Sequence, residues 1–263
     1  MRQTKQFTGH SLLAVTAHPD DEAILCGGLL AWCAELGARV SLLCLTKGEH
    51  GQGKPSVVTG RELELNAAAK LLGIHATTIL AHEDGMLPWI DPERLENDIA
   101  TIIKQAKPDV VITFDSDGVY GHPDHIAVHE RTTTVVNQIQ DNPPALYYAS
   151  IPSGTRRTLV EHVRDAWQTH KGLHKPPQSI LGIDDPDAWG CENLPPTFVV
   201  DAKAYGITKL EALACHRSQF QHSALAYVAL KDAPKLLNKE HYRRAQVGNQ
   251  AVAFIEDLVQ PED

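Results

Sequence analysis

Short apolar runs alternate with longer stretches whose apolar residues fall three and four apart, and this alternation organises the first 150 residues. Residues 12–17, 40–45, 77–80, 110–114 and 146–150 read as strands. Between them, residues 23–36 predict a helix closed by Gly37, 61–72 a helix stopped by Gly73, and 126–140 a further helix. Residues 92–105 predict a helix that begins on Pro92 and is capped by Asp91. Strands separated by helical crossovers give a parallel sheet covered on both faces. The expected fold class is therefore α/β, a single Rossmann-like three-layer domain with a mostly parallel sheet. Ligands on such sheets bind beyond the carboxyl ends of the strands.

From residue 152 to 196 the pattern breaks into Pro-, Gly- and charge-rich sequence, including Lys175-Pro176-Pro177, Asp184-Asp185-Pro186-Asp187 and Leu194-Pro195-Pro196. A connection of that length is expected to be a loop-rich functional cover. Strand character returns at 198–200, and residues 207–215 and 234–244 look helical. With no internal repeat and no low-complexity tract, residues 1–263 read as one domain carrying the 152–196 cover.

Composition narrows the function. The chain has 24 Lys and Arg against 33 Asp and Glu, a net charge of -9, which lends no support to a nucleic-acid or membrane-surface role. The longest apolar run, 23–34, falls short of the roughly 18 residues needed to cross a bilayer. Arg2 and Lys5 ahead of 12–17 resemble a signal peptide, but the apolar stretch runs into His18-Pro19-Asp20-Asp21-Glu22 with no small-residue cleavage site, so it reads as the first strand. The five cysteines, Cys26, Cys33, Cys44, Cys191 and Cys215, form no C-x-x-C pair and mostly sit in apolar segments, which predicts reduced thiols and a cytoplasmic address. Histidine is abundant, with 14 residues, several beside carboxylates.

Ala17-His18-Pro19-Asp20-Asp21-Glu22 lies where the first strand meets the first helix. Adjacent carboxylates repel and raise one another's pKa unless a cation neutralises them, so a divalent metal with one carboxylate ligating and one poised as a base accounts for the pair. Decoration of a helix N-terminus with acids would explain Asp20, Asp21 and Glu22 but not His18. A second cluster, Gly121-His122-Pro123-Asp124-His125, follows the strand at 110–114 and opens the next helix, so both belong to one rim. One histidine and one carboxylate from the first cluster with one histidine from the second make a three-ligand site with an open position, the arrangement of catalytic zinc.

On these residues the sequence resembles the PIG-L/LmbE-like metal-dependent N-deacetylases, which remove acetyl groups from N-acetylglucosamine-type amino sugars. Gly27-Gly28, Thr46-Lys47-Gly48-Glu49-His50-Gly51, Arg61-Glu62-Leu63-Glu64 and residues 209–219, ending in His216-Arg217-Ser218-Gln219, support the likeness. The resemblance implies a metal, usually Zn²⁺ with Fe²⁺ as the alternative, held by His18, Asp21 and His125. It implies Asp20 as general base, His122 as acid or oxyanion stabiliser, and Arg61 and Tyr120 as substrate-facing groups. Asp84-Gly85, after the third strand, reads as a further rim contact, and His216 as a residue that caps or packs. The expected partner is a small-molecule amino-sugar substrate, with no nucleic acid and no membrane; homo-oligomer formation is left open.

Other classes fit less well. The first turn lacks Gly-x-Gly-x-x-Gly, and no Gly-x-Ser-x-Gly is present, which removes dinucleotide-binding and serine-hydrolase readings. Two histidines and a carboxylate also ligate non-haem Fe(II) oxygenases, so an oxygenase, or a non-catalytic metal- or sugar-binding protein, stands as the alternative.

Overall fold

The computed structural model describes residues 6–51, 58–169, 179–190 and 195–258, and in it each of the five runs read as strands in the first 150 residues is a strand. These are β1 (Ser11–Thr16), β2 (Arg39–Thr46), β3 (Ala76–His82), β4 (Val110–Phe114) and β5 (Ala145–Ser150). With β6 (Phe198–Asp201) and β7 (Lys239–Gly248) they form one sheet in the order β3-β2-β1-β4-β5-β7-β6. The first five pair in parallel, while β7 runs antiparallel between β5 and β6.

The direction of the crossovers places the helices. The chain steps one way along the sheet through α1 (Asp21–Glu35) and α2 (Val58–Leu71), and the other way through α3 (Pro92–Ala106) and α5 (Pro123–Gln138). Right-handed crossovers then put the two pairs on opposite faces, which is why all of β4 and nearly all of β1 are buried. α7 (Gly206–Cys215) packs on α1 and α2, so α1 is buried around most of its circumference. Gly28 in the middle of α1 permits this approach, because a Cβ there would lie 2.5 Å from the Ala202 side chain. α3 buries the stripe Leu95, Ile99 and Ile103, and its cap is as expected: Asp91 accepts from Glu93 N–H and Pro92 opens the helix.

Two expectations need correction. The 152–196 segment is not only loop, since α6 (Thr155–Thr169) forms a 15-residue helix within it. Residues 234–244 are not a helix: a single turn, α9 (Ala233–Leu236), leads into β7. The strand was hidden because its inward positions include Glu240 as well as Tyr242, both buried, and because a register shift against β5 disturbs the alternation beyond them. Cys26, Cys33, Cys44 and Cys215 are free thiols. Arg2, Lys5, Cys191 and Lys175-Pro176-Pro177 lie outside the described residues. Among the described residues no helix is long and apolar enough to cross a membrane.

Candidate metal centre and active-site cleft

β1 and β4 are neighbours, and the connections leave them in opposite directions, which opens a crevice at their carboxyl ends. Beyond β1 the chain turns through His18-Pro19-Asp20 into α1, with Asp20 in the left-handed region at φ 117°. Beyond β4, a single distorted turn, α4 (Gly118–Gly121), carries Val119 at φ 71° and delivers His122 as the cap of α5. A left-handed β-branched residue is a strained conformation that neighbouring packing must impose. His18, Asp20, Asp21, Arg61, Asp84, Tyr120 and His122 all line one cleft of about 290 Å³. His125 lies beside it, 1% exposed.

Three donors converge there. His18 Nδ1 and His125 Nε2 are 3.2 Å apart, Asp21 Oδ2 is 3.5 Å from the first and Asp21 Oδ1 is 3.3 Å from the second. Ligands on a tetrahedral ion with bonds of roughly 2.0–2.1 Å stand about 3.3 Å from one another, so the two ring nitrogens, each with one of the Asp21 oxygens nearby, have spacings that suit a zinc-sized cation. The far nitrogens set the tautomers. His125 Nδ1 lies 3.1 Å from the Gly118 carbonyl, to which it must donate, leaving Nε2 as a lone-pair donor. His18 Nε2 lies 3.1 Å from both Asp84 Oδ1 and Asp124 Oδ2, so it carries a hydrogen, and Nδ1 faces His125 and Asp21. His18, Asp84 and Asp124 also sit close enough to share an ion. Asp124, however, already accepts from Gly85 N–H at 2.8 Å and Leu87 N–H at 3.1 Å, which makes it an anchor for His18.

The two adjacent carboxylates are differentiated by their surroundings. Burial opposes the charge on Asp21, but His125 and His18 hold its carboxyl well below the usual range. Burial pushes Asp20 up to about 6, although Arg61 beside it favours the charged form. His122 is brought down to about 4 by burial and by the facing His125 and His18. Its Nδ1 accepts the Asp124 N–H at 3.2 Å, so the neutral ring carries its hydrogen on Nε2. Burial raises the Tyr120 hydroxyl well above its ordinary value, as do the carboxylates around it.

The pattern of the PIG-L family, described as GlcNAc-PI de-N-acetylase, matches residues 13–136, the stretch that holds all of these side chains. A 1D-myo-inositol 2-acetamido-2-deoxy-alpha-D-glucopyranoside deacetylase from Acidothermus cellulolyticus is 32% identical over 244 residues, covering 80% of this chain and 79% of its own. The chain belongs to the PIG-L family. Among solved structures, N,N'-diacetylchitobiose deacetylase from Pyrococcus horikoshii superposes with a TM-score of 0.60 at 23% identity, over 89% of the PIG-L chain described here and 83% of its own. GalB, the 4-carboxy-2-hydroxymuconate hydratase from Pseudomonas putida KT2440, gives the same TM-score at 19% identity, over 93% and 100%. A backbone shared by a deacetylase and a hydratase leaves the reaction to be argued from side chains.

In this PIG-L chain Arg61 reaches the cleft but is largely engaged by protein. Its Nη1 donates to Gly48 O at 2.7 Å, and its Nη2 to Pro19 O at 2.6 Å and Asp20 Oδ2 at 3.3 Å. Gly48, at φ 65°, makes room for it, since a Cβ there would lie 2.5 Å from the guanidinium. Asp84 faces the cleft yet also holds His18 and accepts from His50 N–H at 2.8 Å. His216 packs under the site, as expected of it, but also touches Glu22 Oε1 at 2.7 Å, while Glu22 Oε2 accepts the Asp20 N–H at 3.1 Å. Sequence reasoning missed the anchoring role of Asp124, whose signal was the repeated His-Pro-Asp, and the cleft wall formed by Leu181, Ile183 and Trp189.

Proposed function

We propose that the chain is a zinc-dependent hydrolase that removes the acetyl group from the amide nitrogen of an N-acetylglucosamine-type conjugate, with His18, Asp21 and His125 as the metal ligands. The observation that carries this reading is the approach of His18 Nδ1, His125 Nε2 and the Asp21 carboxylate to within 3.2–3.5 Å of one another, with a second carboxylate, Asp20, next to them in the chain. The relative from Acidothermus cellulolyticus, named for an acetamido-glucopyranoside of inositol, supports the substrate class.

When bound, the cation supplies Lewis acidity, lowering the pKa of a water towards about 7 and polarising the amide carbonyl. Asp20, held between Arg61 and the Glu22 carboxylate, takes the proton of the attacking water. Its raised pKa suits a group that must accept a proton near neutrality and then pass it to the leaving amine. His122, neutral and protonated on Nε2, donates a hydrogen bond to the developing oxyanion; its low pKa keeps the ring from carrying a second proton near neutrality, so stabilisation is its better role. Tyr120, Arg61 and Asp84 line the space for the sugar, and Leu181, Ile183 and Trp189 bring the 152–196 cover against the remainder of the substrate.

The test is acetate release from a panel of N-acetylglucosamine conjugates, with elemental analysis of the same preparation. Stoichiometric acetate with one divalent ion per chain is expected. Oxygen consumption without acetate would establish an oxygenase instead, and binding without acetate a non-catalytic site.

A further inference from the structure

A second cavity lies behind the cleft, and Ile24 contributes to the lining of both. It encloses about 40 Å³, and Ser150, Thr155, Arg156, Lys209, Asn238 and Glu240 are among the polar residues around it. Arg156, in the first turn of α6, is only 5% exposed. Its Nε is buried without an acceptor, and among the described residues the guanidinium has neither a hydrogen bond nor an ion pair. It lies over the Trp189 ring, whose centre is 5.4 Å away and which forms part of the cleft wall.

Glu240, the carboxylate lining this cavity, is fully engaged. Its Oε1 accepts from Gly28 N–H and Lys209 Nζ, and its Oε2 from Leu29 N–H and Tyr242 OH. Lys209 and Glu240 therefore pair with one another, and among the described residues Arg156, although the nearby Glu240 favours its charge, has no carboxylate bonded to it. Burial lowers Arg156 only to about 10, so it stays cationic at neutral pH. His241, driven by burial and by Lys239 and Lys209 to about 4, adds no charge. Among the described residues the lining thus carries a net positive charge and a planar donor fork without a protein acceptor.

A buried guanidinium is stable when a counter-ion satisfies its fork, and a carboxylate matches that geometry with two parallel hydrogen bonds. Size restricts the choice further. A volume of about 40 Å³ holds roughly three waters at 10–15 Å³ each, space for an acetate-sized ion.

We propose that this cavity is a binding site for a small carboxylate, gripped by Arg156 with Ser150 and Asn238 as hydrogen-bonding neighbours. Hydrolysis of an acetamide yields a carboxylate of this size, but the site stands on Arg156 and does not rest on that reaction. Because Arg156 stacks on Trp189, its occupant also steadies one wall of the cleft.

Thermal unfolding of the metal-loaded protein in sodium acetate, against sodium chloride at equal ionic strength, tests the site. Acetate at about fivefold above its Kd should raise Tm by roughly 2–4 °C. Arg156→Gln should abolish the rise. Asn238→Asp, an isosteric change that places a like charge in the lining, should weaken acetate by about tenfold or more and keeps the test available if Arg156→Gln does not fold. His125→Ala, which removes a proposed metal ligand, should retain the rise. A rise lost in His125→Ala and kept in the two cavity variants would put acetate at the metal centre and overturn the proposal. So would the absence of any rise in the wild-type protein at about 100 mM acetate, a hundredfold above a millimolar Kd.

Discussion

Asp20 and Asp21 share a peptide bond but not an environment: two histidines face Asp21, whereas Asp20 meets Arg61 and the Glu22 carboxylate. Asp20→Asn should accordingly keep its metal while kcat falls by roughly 10² or more, and Asp21→Asn should lose both, as activity assays paired with elemental analysis will show. Metal retained in full by Asp21→Asn would exclude it from the ligand set. Asp124 offers a finer test, because among the described residues its carboxylate touches the proposed ligands through His18 Nε2. Asp124→Asn should weaken metal affinity by about 10- to 100-fold in a competition with a chelator, leaving the three proposed ligands in place. The carboxylate pair and the two His-Pro-Asp turns were legible in the sequence because they stand next to one another in the chain. The anchoring of His18 was not, since Asp84 and Asp124 reach it from two other strand ends and nothing local marks which carboxylate faces which ring.

At the level of elements, β1 to β4 and the helices α1, α2, α3 and α5 were legible because short apolar runs alternate with helical spacings, whereas the distorted turn α4 carries no such pattern. β7 was not, because tertiary structure assigns a buried charged residue to an inward position that ordinarily holds an aliphatic one. Glu240→Gln should therefore be severe, lowering the unfolding free energy in urea by about 3–5 kcal/mol, since Lys209 loses its partner in a dry site. A loss under about 1 kcal/mol would mean the pair is solvated. α6 escaped notice because the Pro- and Gly-rich sequence around it masks its one amphipathic stripe, which buries Leu159, Val160 and Val163. Beyond α6, Leu181 and Ile183 reach the cleft, so substitutions there should change relative kcat/KM between two sugar conjugates while metal content stays constant. Equal losses on every conjugate would argue against a role in selection.

For the whole molecule, stability should depend on histidine titration in weak acid. His241 titrates at about 4 in the folded chain and near 6.5 unfolded, so between those values the unfolded chain binds the extra proton. Stability present above pH 6.5 is thus lost as pH falls towards 4, and His241→Gln should flatten that part of a urea-unfolding profile. Asp84, lowered to about 2, acts in a separate window: its contribution is present above 3.8 and is lost as pH falls through 2. The order of strands carries a consequence for assembly. His18 and His125 are 107 residues apart in the chain and meet only because β4 docks against β1 across the intervening β2 and β3 units. Under the proposed ligand set, a nascent chain offers two donors long before the third, and two donors make a weak chelate. Long-range pairing is a slow step in folding, because the loop must close before any contact rewards it. On that ligand set, metal capture would come after the sheet is built, locking a finished fold rather than guiding the chain towards it.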